Sequence, residues 1–303
     1  MPVNIPTNLP AVETLSSEGI FVMTEKRARS QDIRPLEIGI VNLMPTKINT
    51  ETQLLRLLSN TPLQIEITLL RMNNHVYKNT GQEHLDVFYH THMDVKDKWF
   101  DGLIITGAPV EALPFDKVDY WDDLCTLMDW SKTNVYSTLH ICWGAQAGLF
   151  HHYGIKKYEL YEKLSGVYRH KVQVSSNCLI RGFDDEFLAP HSRYTNVREE
   201  DILIAGLSVL AKSNETGVYI AVSNDHRQVF ITGHPEYDKT TLDDEYKRDI
   251  GKGLNIKPPV NYYKDNNLNK IPTMHWKAHA HLLFANWLNY YVYQETPYHI
   301  TSI

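Results

Sequence analysis

An apolar run, Val135-Tyr136-Ser137-Thr138-Leu139-His140-Ile141, ends on Cys142 and passes directly into Trp143-Gly144-Ala145-Gln146-Ala147-Gly148. No other junction constrains the fold as strongly. A strand followed at once by small residues of helical composition requires a sharp strand-to-helix turn, with the helix packed close to its sheet. Such turns belong to α/β folds with parallel strands, whose ligands bind beyond the carboxyl ends of those strands. The residue at the turn is thrust out of the sheet, and here it carries a thiol.

The preceding segments repeat the rhythm. Leu36 to Leu43 reads as a buried strand. After Met44-Pro45, Thr50 and Gln53 have capping-box spacing, and Leu54, Leu55 and Leu58 form a helical stripe. Leu63 to Leu70 alternates as a strand, Gly102 to Gly107 is a strand closing in a glycine loop, and Trp121, Leu124, Cys125 and Met128 share a helical face. This order predicts a mostly parallel sheet flanked by helices. Past residue 170 the chain turns β-rich, with strands expected near 171–180, 202–211, 216–223 and 228–232. Two helices close it, near 240–252 and 275–294, with Thr240 or Thr241 capping the first and Asp243 and Asp244 in its first turn. Residues 254–272 read as a loop excursion. Residues 1–34 read as an N-terminal arm with one short helix and a charged end at Glu25 to Arg29, and 35–303 as a single α/β domain.

Composition narrows the function. A net charge of −6 without a long basic run argues against nucleic-acid binding. No apolar run reaches the length of a membrane span, and no secretion signal is evident, so a cytoplasmic protein is expected. The three cysteines, Cys125, Cys142 and Cys178, show neither metal spacing nor a disulfide pattern. Cys125 lies on a helical apolar face and Cys178 is expected in a strand, so both read as structural. His90-Thr91-His92 with Asp94, and His275 with His279, lack the partners that would specify a metal site, so no metal is expected.

A second segment gives the thiol its meaning. Val229-Phe230-Ile231-Thr232-Gly233 reads as a strand and leads into His234-Pro235-Glu236-Tyr237. Cys142 as nucleophile, His234 as base and Glu236 as the carboxylate orienting it are the components of covalent acyl transfer. The helix starting at Trp143 favours a thiolate at its N-terminus. The backbone N–H of Trp143, and one from Gly107 in Thr106-Gly107-Ala108-Pro109, are the candidate oxyanion donors.

The elbow cysteine with a later His-Pro-Glu resembles the class I glutamine amidotransferase fold, a flavodoxin-like arrangement. Amidotransferases usually place glycine two residues before the cysteine, where this chain has His140. Instead the chain resembles the homoserine O-acyltransferases of methionine biosynthesis. The matching segments are Asn42-Leu43-Met44-Pro45, Thr106-Gly107-Ala108-Pro109, Leu139-His140-Ile141-Cys142-Trp143, Leu164-Ser165-Gly166-Val167-Tyr168, Ala189-Pro190-His191-Ser192-Arg193-Tyr194, Thr232 to Tyr237, and Glu245-Tyr246 with Arg248-Asp249. They span about residues 35 to 290. The resemblance implies a Cys142 thioester formed from acyl-CoA, proton transfer by His234 oriented by Glu236, and homoserine binding by Lys163, Ser192 and Arg248. It also implies a homodimer and no bound cofactor. Lys47 joins as a further residue that would face the site, against a plain role at a solvated helix start.

In this family the residue shortly after Thr-Gly-Ala-Pro looks like an acyl selector, and here it is Glu111, against a plain role as a solvated loop carboxylate. A glycine would leave room for succinyl. Glu111 fills that room and opposes the distal succinyl carboxylate with like charge. The expected reaction is therefore acetyl transfer from acetyl-CoA to L-homoserine. The rivals are succinyl transfer on the same machinery, a glutaminase-type hydrolase, and a non-catalytic binding protein on this fold.

Overall fold

The computed structural model describes residues 3–4, 6, 8–18, 34–73, 75–77 and 79–297. Its strands are β1 (Val3–Asn4), β2 (Leu36–Val41), β3 (Ile65–Arg71), β4 (Tyr89–Thr91), β5 (Phe100–Ile105), β6 (Val135–Ile141), β7 (Tyr158–Val172), β8 (Glu186–Asn196), β9 (Ser208–Ser213), β10 (Gly217–Val222) and β11 (Gln228–Ile231). The helices are α1 (Ala11–Ser17), α2 (Lys47–Leu58), α3 (Gln82–Phe88), α4 (His92–Val95), α5 (Trp121–Asn134), α6 (Trp143–Tyr153), α7 (Glu199–Ile204), α8 (Thr241–Gly251) and α9 (Lys277–Asn286). Among the described residues the strands form one sheet in the order β1-β3-β2-β5-β6-β11-β10-β9-β7-β8, with β4 beside β3.

The sheet has two regimes. From β1 to β6, and on to β11, neighbours pair in parallel, as the βαβ rhythm requires. From β11 through β10, β9, β7 and β8 they pair antiparallel. β11 is the hinge strand, parallel to β6 on one side and antiparallel to β10 on the other.

Burial on both faces holds the parallel region. Leu54, Leu55 and Leu58 of α2 are fully buried against Ile38, Ile40 and Ile65, with Leu283, Phe284 and Trp287 in the same core. Each such side chain contributes about 1.5–3 kcal/mol by burial. Leu124, Leu127 and Met128 of α5 cover the other face, with Phe100, Leu103 and Ile105. The C-terminal helix lies close because Gly102 has no Cβ: one there would sit 2.8 Å from the Trp287 ring. The Trp287 indole N–H donates to Ser137 Oγ at 3.0 Å, and the chain continues as a π-helical stretch, Trp287–Tyr293. From the arm, Leu9, Ala11 and Leu15 also enter the core; the charged stretch 25–29 lies outside the described residues. No helix among the described residues is long and apolar enough to cross a membrane.

Several expected elements are corrected. The Thr50/Gln53 capping box does not form, because α2 begins at Lys47. Inside the helix, Thr50 donates back to the Thr46 carbonyl at 3.3 Å, and Gln53 Nε2 donates to Thr241 Oγ1 at 3.0 Å. The strand expected at 171–180 stops at Val172, where Ser175-Ser176-Asn177 turn the chain. Cys178 is therefore exposed and opens a short 3₁₀ turn, capped by Asn177 Oδ1 accepting from the Leu179 N–H at 2.8 Å. β8 escaped the sequence reading; its Pro190 is tolerated on the edge strand of the sheet. The stretch 202–211 is split: α7 carries Glu199, Glu200 and Asp201 in its first turn and gives way at Gly206, with φ +79°, to β9.

Candidate active site

Cys142 stands between β6 and α6 with φ 50° and ψ −114°. A non-glycine residue there is strained, and the neighbours enforce it. Its N–H donates to the Ile231 carbonyl at 2.7 Å, tying the elbow to the end of β11. Helix α6 starts hard against β5: a Cβ at Gly144 would meet the Thr106 carbonyl oxygen at 2.6 Å. The first N–H groups of α6 have no carbonyl one turn back, so the Trp143 N–H is free to serve an oxyanion beside Cys142.

The second part of the site grows from the same strand end. Beyond β11, the His234 N–H donates to the Pro190 carbonyl at 2.9 Å, and His234 Nδ1 meets Glu236 Oε1 at 2.7 Å. Tyr237 stacks on the imidazole with centroids 4.0 Å apart and planes 17° apart. Gly107 marks the convergence: a Cβ there would lie 3.3 Å from both Cys142 Cβ and His234 Cε1. The cysteine and the imidazole thus face the same point beside Gly107. Cys142, His234 and Glu236 are all buried. Burial pulls the His234 imidazole down, but the Cys142 thiolate and the Glu236 carboxylate outweigh it and hold it well above its ordinary range. A cysteine sulfur beside an imidazole, with a carboxylate behind it, is equipped for nucleophilic acyl transfer.

The other sequence-predicted residues divide. Glu111 is drawn into the site: its Oε1 accepts from the Tyr194 N–H at 3.2 Å. Burial raises its carboxyl, while His234, the Tyr194 N–H and Lys163 pull it back. Lys163 Nζ and Arg248 Nη2 both hold Asp249, at 2.7 and 2.8 Å, with the Lys163 and Asp249 side chains almost fully buried and the Arg248 side chain 47% exposed. Asp249 thus gathers two cations beside Tyr194, over whose ring Lys163 lies at 5.6 Å. Ser192 is buried on β8, opposite Ser165 of β7.

Lys47 does not join them. It is fully buried rather than solvated; its ammonium donates to the Asn42 carbonyl and sits 4.2 Å from the Tyr77 ring centroid. Burial pulls it down to about 7. The nearby polar groups form their own cluster, in which Tyr89 donates to Glu51 at 2.6 Å and His84 meets the same oxygen at 2.9 Å.

Several members of the histidine clusters weighed for metal have protein partners. Asp94 caps α4 by accepting from the Thr91 N–H and hydroxyl, both at 2.7 Å, and His92 packs edge-on against Trp130. His275 precedes α9, so it shares no helical face with His279, which pairs with Asp184 at 3.2 Å. A different trio, Asp129, His151 and His152, brings ligand atoms within 4.8 Å of one another, with Asp129 and His151 already paired at 2.8 Å.

Three supporting residues were not singled out from sequence. Tyr237 and Asp249 stand inside matched segments, and their contacts give them roles. Arg193 is the third: fully buried, it donates to the carbonyls of Thr232 at 3.0 Å and Thr216 at 2.8 Å, to Asn196 Oδ1 at 3.2 Å, and to His191. Burial pulls its guanidinium down to about 10, with Cys142 and Glu111 the leading negative groups opposing that. It too stands inside a matched segment, Ala189 to Tyr194.

The homoserine O-succinyltransferase family model matches residues 2–298. The chain belongs to that family. Among its relatives, a homoserine O-acetyltransferase of Thermotoga neapolitana is 60% identical over 304 residues, covering 100% of both chains. One from Acetivibrio thermocellus is 59% identical, again over 100% of both. One from Clostridium acetobutylicum is 58% identical, over 99% of this chain and 100% of its own. Among solved structures, a glutamine amidotransferase of Thermotoga maritima aligns with a TM-score of 0.58 at 13% identity, covering 85% of this chain and 98% of that one. A second, from Methylobacillus flagellatus, gives 0.50 at 13% identity, over 85% and 95%. The fold is the class I glutamine amidotransferase type, as the elbow predicts; the sequence places the chain in the acyltransferase family built on it.

Proposed function

We propose that the chain is a homoserine O-acetyltransferase, carrying acetyl from acetyl-CoA through a Cys142 thioester to the hydroxyl of L-homoserine. The observation that carries this reading is the convergence of Cys142, His234 and the Gly107 backbone on one point, with Glu236 behind the imidazole. In the first half-reaction the Cys142 thiolate attacks the thioester carbonyl. The oxyanion forms beside the Trp143 N–H and Gly107, and collapse expels the CoA thiolate, which takes the proton held by His234. In the second, His234 takes the homoserine hydroxyl proton as that oxygen attacks the acyl-enzyme. Collapse then releases O-acetyl-L-homoserine and returns the thiolate.

Substrate selection follows from the surrounding charges. Arg248 offers a guanidinium fork to the homoserine carboxylate, with Lys163 and Ser192 beside it. Glu111 sits half-buried near His234, where a second carboxylate from succinyl would meet like charge in a poorly solvated space. The identity of the relatives supports acetyl as the group transferred. The family model's own description favours succinyl as the second reading. The enzyme would work in the cytoplasm as a homodimer, with both substrates diffusing in and no resident cofactor.

One assay decides. CoA release is followed with acetyl-CoA and with succinyl-CoA, each with homoserine, for wild type and Cys142→Ser. Release from acetyl-CoA that is lost in Cys142→Ser is the expected result. Release from neither donor would sink the transferase reading, preferential release from succinyl-CoA would reverse the donor, and hydrolysis of glutamine would favour the hydrolase. Double-reciprocal plots should be parallel, because the acyl-enzyme forms before homoserine reacts.

A further inference from the structure

A carboxylate on a loop discriminates between ligands only if the loop holds it still. Glu111 lies in the connection from β5 to a short 3₁₀ turn, Phe115–Lys117. Of that connection's own backbone, one turn bond is made near Glu111, from the Leu113 N–H to the Val110 carbonyl at 3.0 Å. The rest of the restraint comes from outside. Lys157, just before β7, donates through Nζ to the carbonyl of Glu111 and, at 2.6 Å, to that of Leu113. The same ammonium stands 4.7 Å from the centroid of the Phe115 ring. Phe115 in turn stacks on Phe150 of α6 at 4.7 Å and on Trp121 of α5 at 4.9 Å, and tilts against Trp143 at 5.9 Å. The loop backbone is thereby fastened to the helix that begins at the nucleophile.

Glu111 is held at both ends. Lys157 fixes its carbonyl, and the Tyr194 N–H fixes its carboxylate at 3.2 Å. Lys157 has no carboxylate partner in a salt bridge among the described residues; it is half-buried and directs its protons to neutral carbonyls. That pattern suits a backbone clamp rather than a surface ion pair.

We propose that Lys157 is a specificity-positioning residue: it clamps the 111–113 backbone to the end of α6, so that Glu111 occupies the far end of the acyl pocket. It touches no reacting atom. The inference rests on the reading of Glu111 as the donor selector, and the test separates the two.

The experiment measures kcat/KM with acetyl-CoA and with succinyl-CoA for the full-length enzyme and for Lys157→Met, Lys157→Gln, Lys157→Arg, Glu111→Gly and the Lys157→Met/Glu111→Gly pair. Lys157→Met keeps the stem and removes every donor. It should raise the succinyl-to-acetyl ratio about tenfold, while acetyl-CoA kcat/KM falls no more than about threefold. Lys157→Arg should restore the wild-type ratio, and Lys157→Gln, reaching one carbonyl, should fall between. In the Glu111→Gly background, Lys157→Met should add nothing to the ratio, because residues acting through one group are not additive. Equal losses with both donors in Lys157→Met would reduce Lys157 to a stabilising contact and overturn the proposal. A shift in Glu111→Gly without one in Lys157→Met would overturn it while leaving the selector intact. No shift in Glu111→Gly would remove both. Should Lys157→Met not fold, Lys157→Gln and Lys157→Arg carry the same test: identical ratios in those two would count against the clamp.

Discussion

The parallel and antiparallel regions of this sheet hold different kinds of residue. The parallel side, with β11 at its margin, presents Cys142, the Trp143 and Gly107 backbones, His234 and Glu236. These groups are fixed by main-chain bonds and close packing: Cys142 N–H to Ile231, His234 N–H to Pro190, Gly144 against Thr106. The antiparallel side, with α8, presents Ser192 and Tyr194 on β8, together with Lys163, Arg248 and Asp249, which hold one another through their side chains. On the proposed reading, the bond-making atoms stand at the parallel region and the groups that would recognise homoserine at the antiparallel one. Solved glutamine amidotransferases share this fold.

The sharpest way to break this division is to remove one side at a time. Cys142→Ser should lose roughly 10⁴-fold or more in acyl transfer, and should release no initial burst of CoA in rapid-quench measurements with acetyl-CoA alone. Glu236→Gln should follow at about 10²–10⁴-fold, because the imidazole loses the carboxylate that orients it. Arg248→Met should behave differently: the CoA burst survives, while turnover with homoserine falls about 10- to 100-fold, chiefly in KM. If Arg248→Met abolished the burst, the assignment of recognition to the antiparallel side would be wrong.

A smaller effect sharpens the electrostatics. The Cys142 thiolate is the leading group raising His234, so in Cys142→Ala the imidazole midpoint should fall, as followed by histidine NMR through a pH series. The sign carries to stability. A folded midpoint above the unfolded value stabilises fully below about pH 6.5 and loses that contribution as pH rises through the folded midpoint. An unchanged imidazole midpoint would mean that the thiolate is not the charge His234 faces.

The two regions also differed in how far sequence disclosed them. Leu54, Leu55 and Leu58, or the strand at Val135 to Ile141, announce themselves through local periodicity, and the structure reproduces them. β8 and the start of β7 depend on pairing with each other across a register shift between Glu159 and Leu164, which no local pattern encodes. The candidate triad could be picked out because it is concentrated in two short segments. Its surroundings could not. Arg193 reads as a surface charge until its burial is seen, and Asp249 gains meaning only when Lys163 and Arg248 are found on either side of it. Lys47 shows the same limit: a solvated helix start was one expectation for it, yet its ammonium is enclosed by Asn42, Tyr77 and Tyr89.

The backbone of Cys142, at φ 50°, has a consequence for stability. Glycine adopts such angles freely, whereas a side-chain-bearing residue does so at a cost of order 1 kcal/mol or more. Cys142→Gly should therefore melt above Cys142→Ala, reversing the order these residues show at ordinary positions. The turn that presents the sulfur would then be a local cost to the fold, carried for what the side chain does rather than for stability.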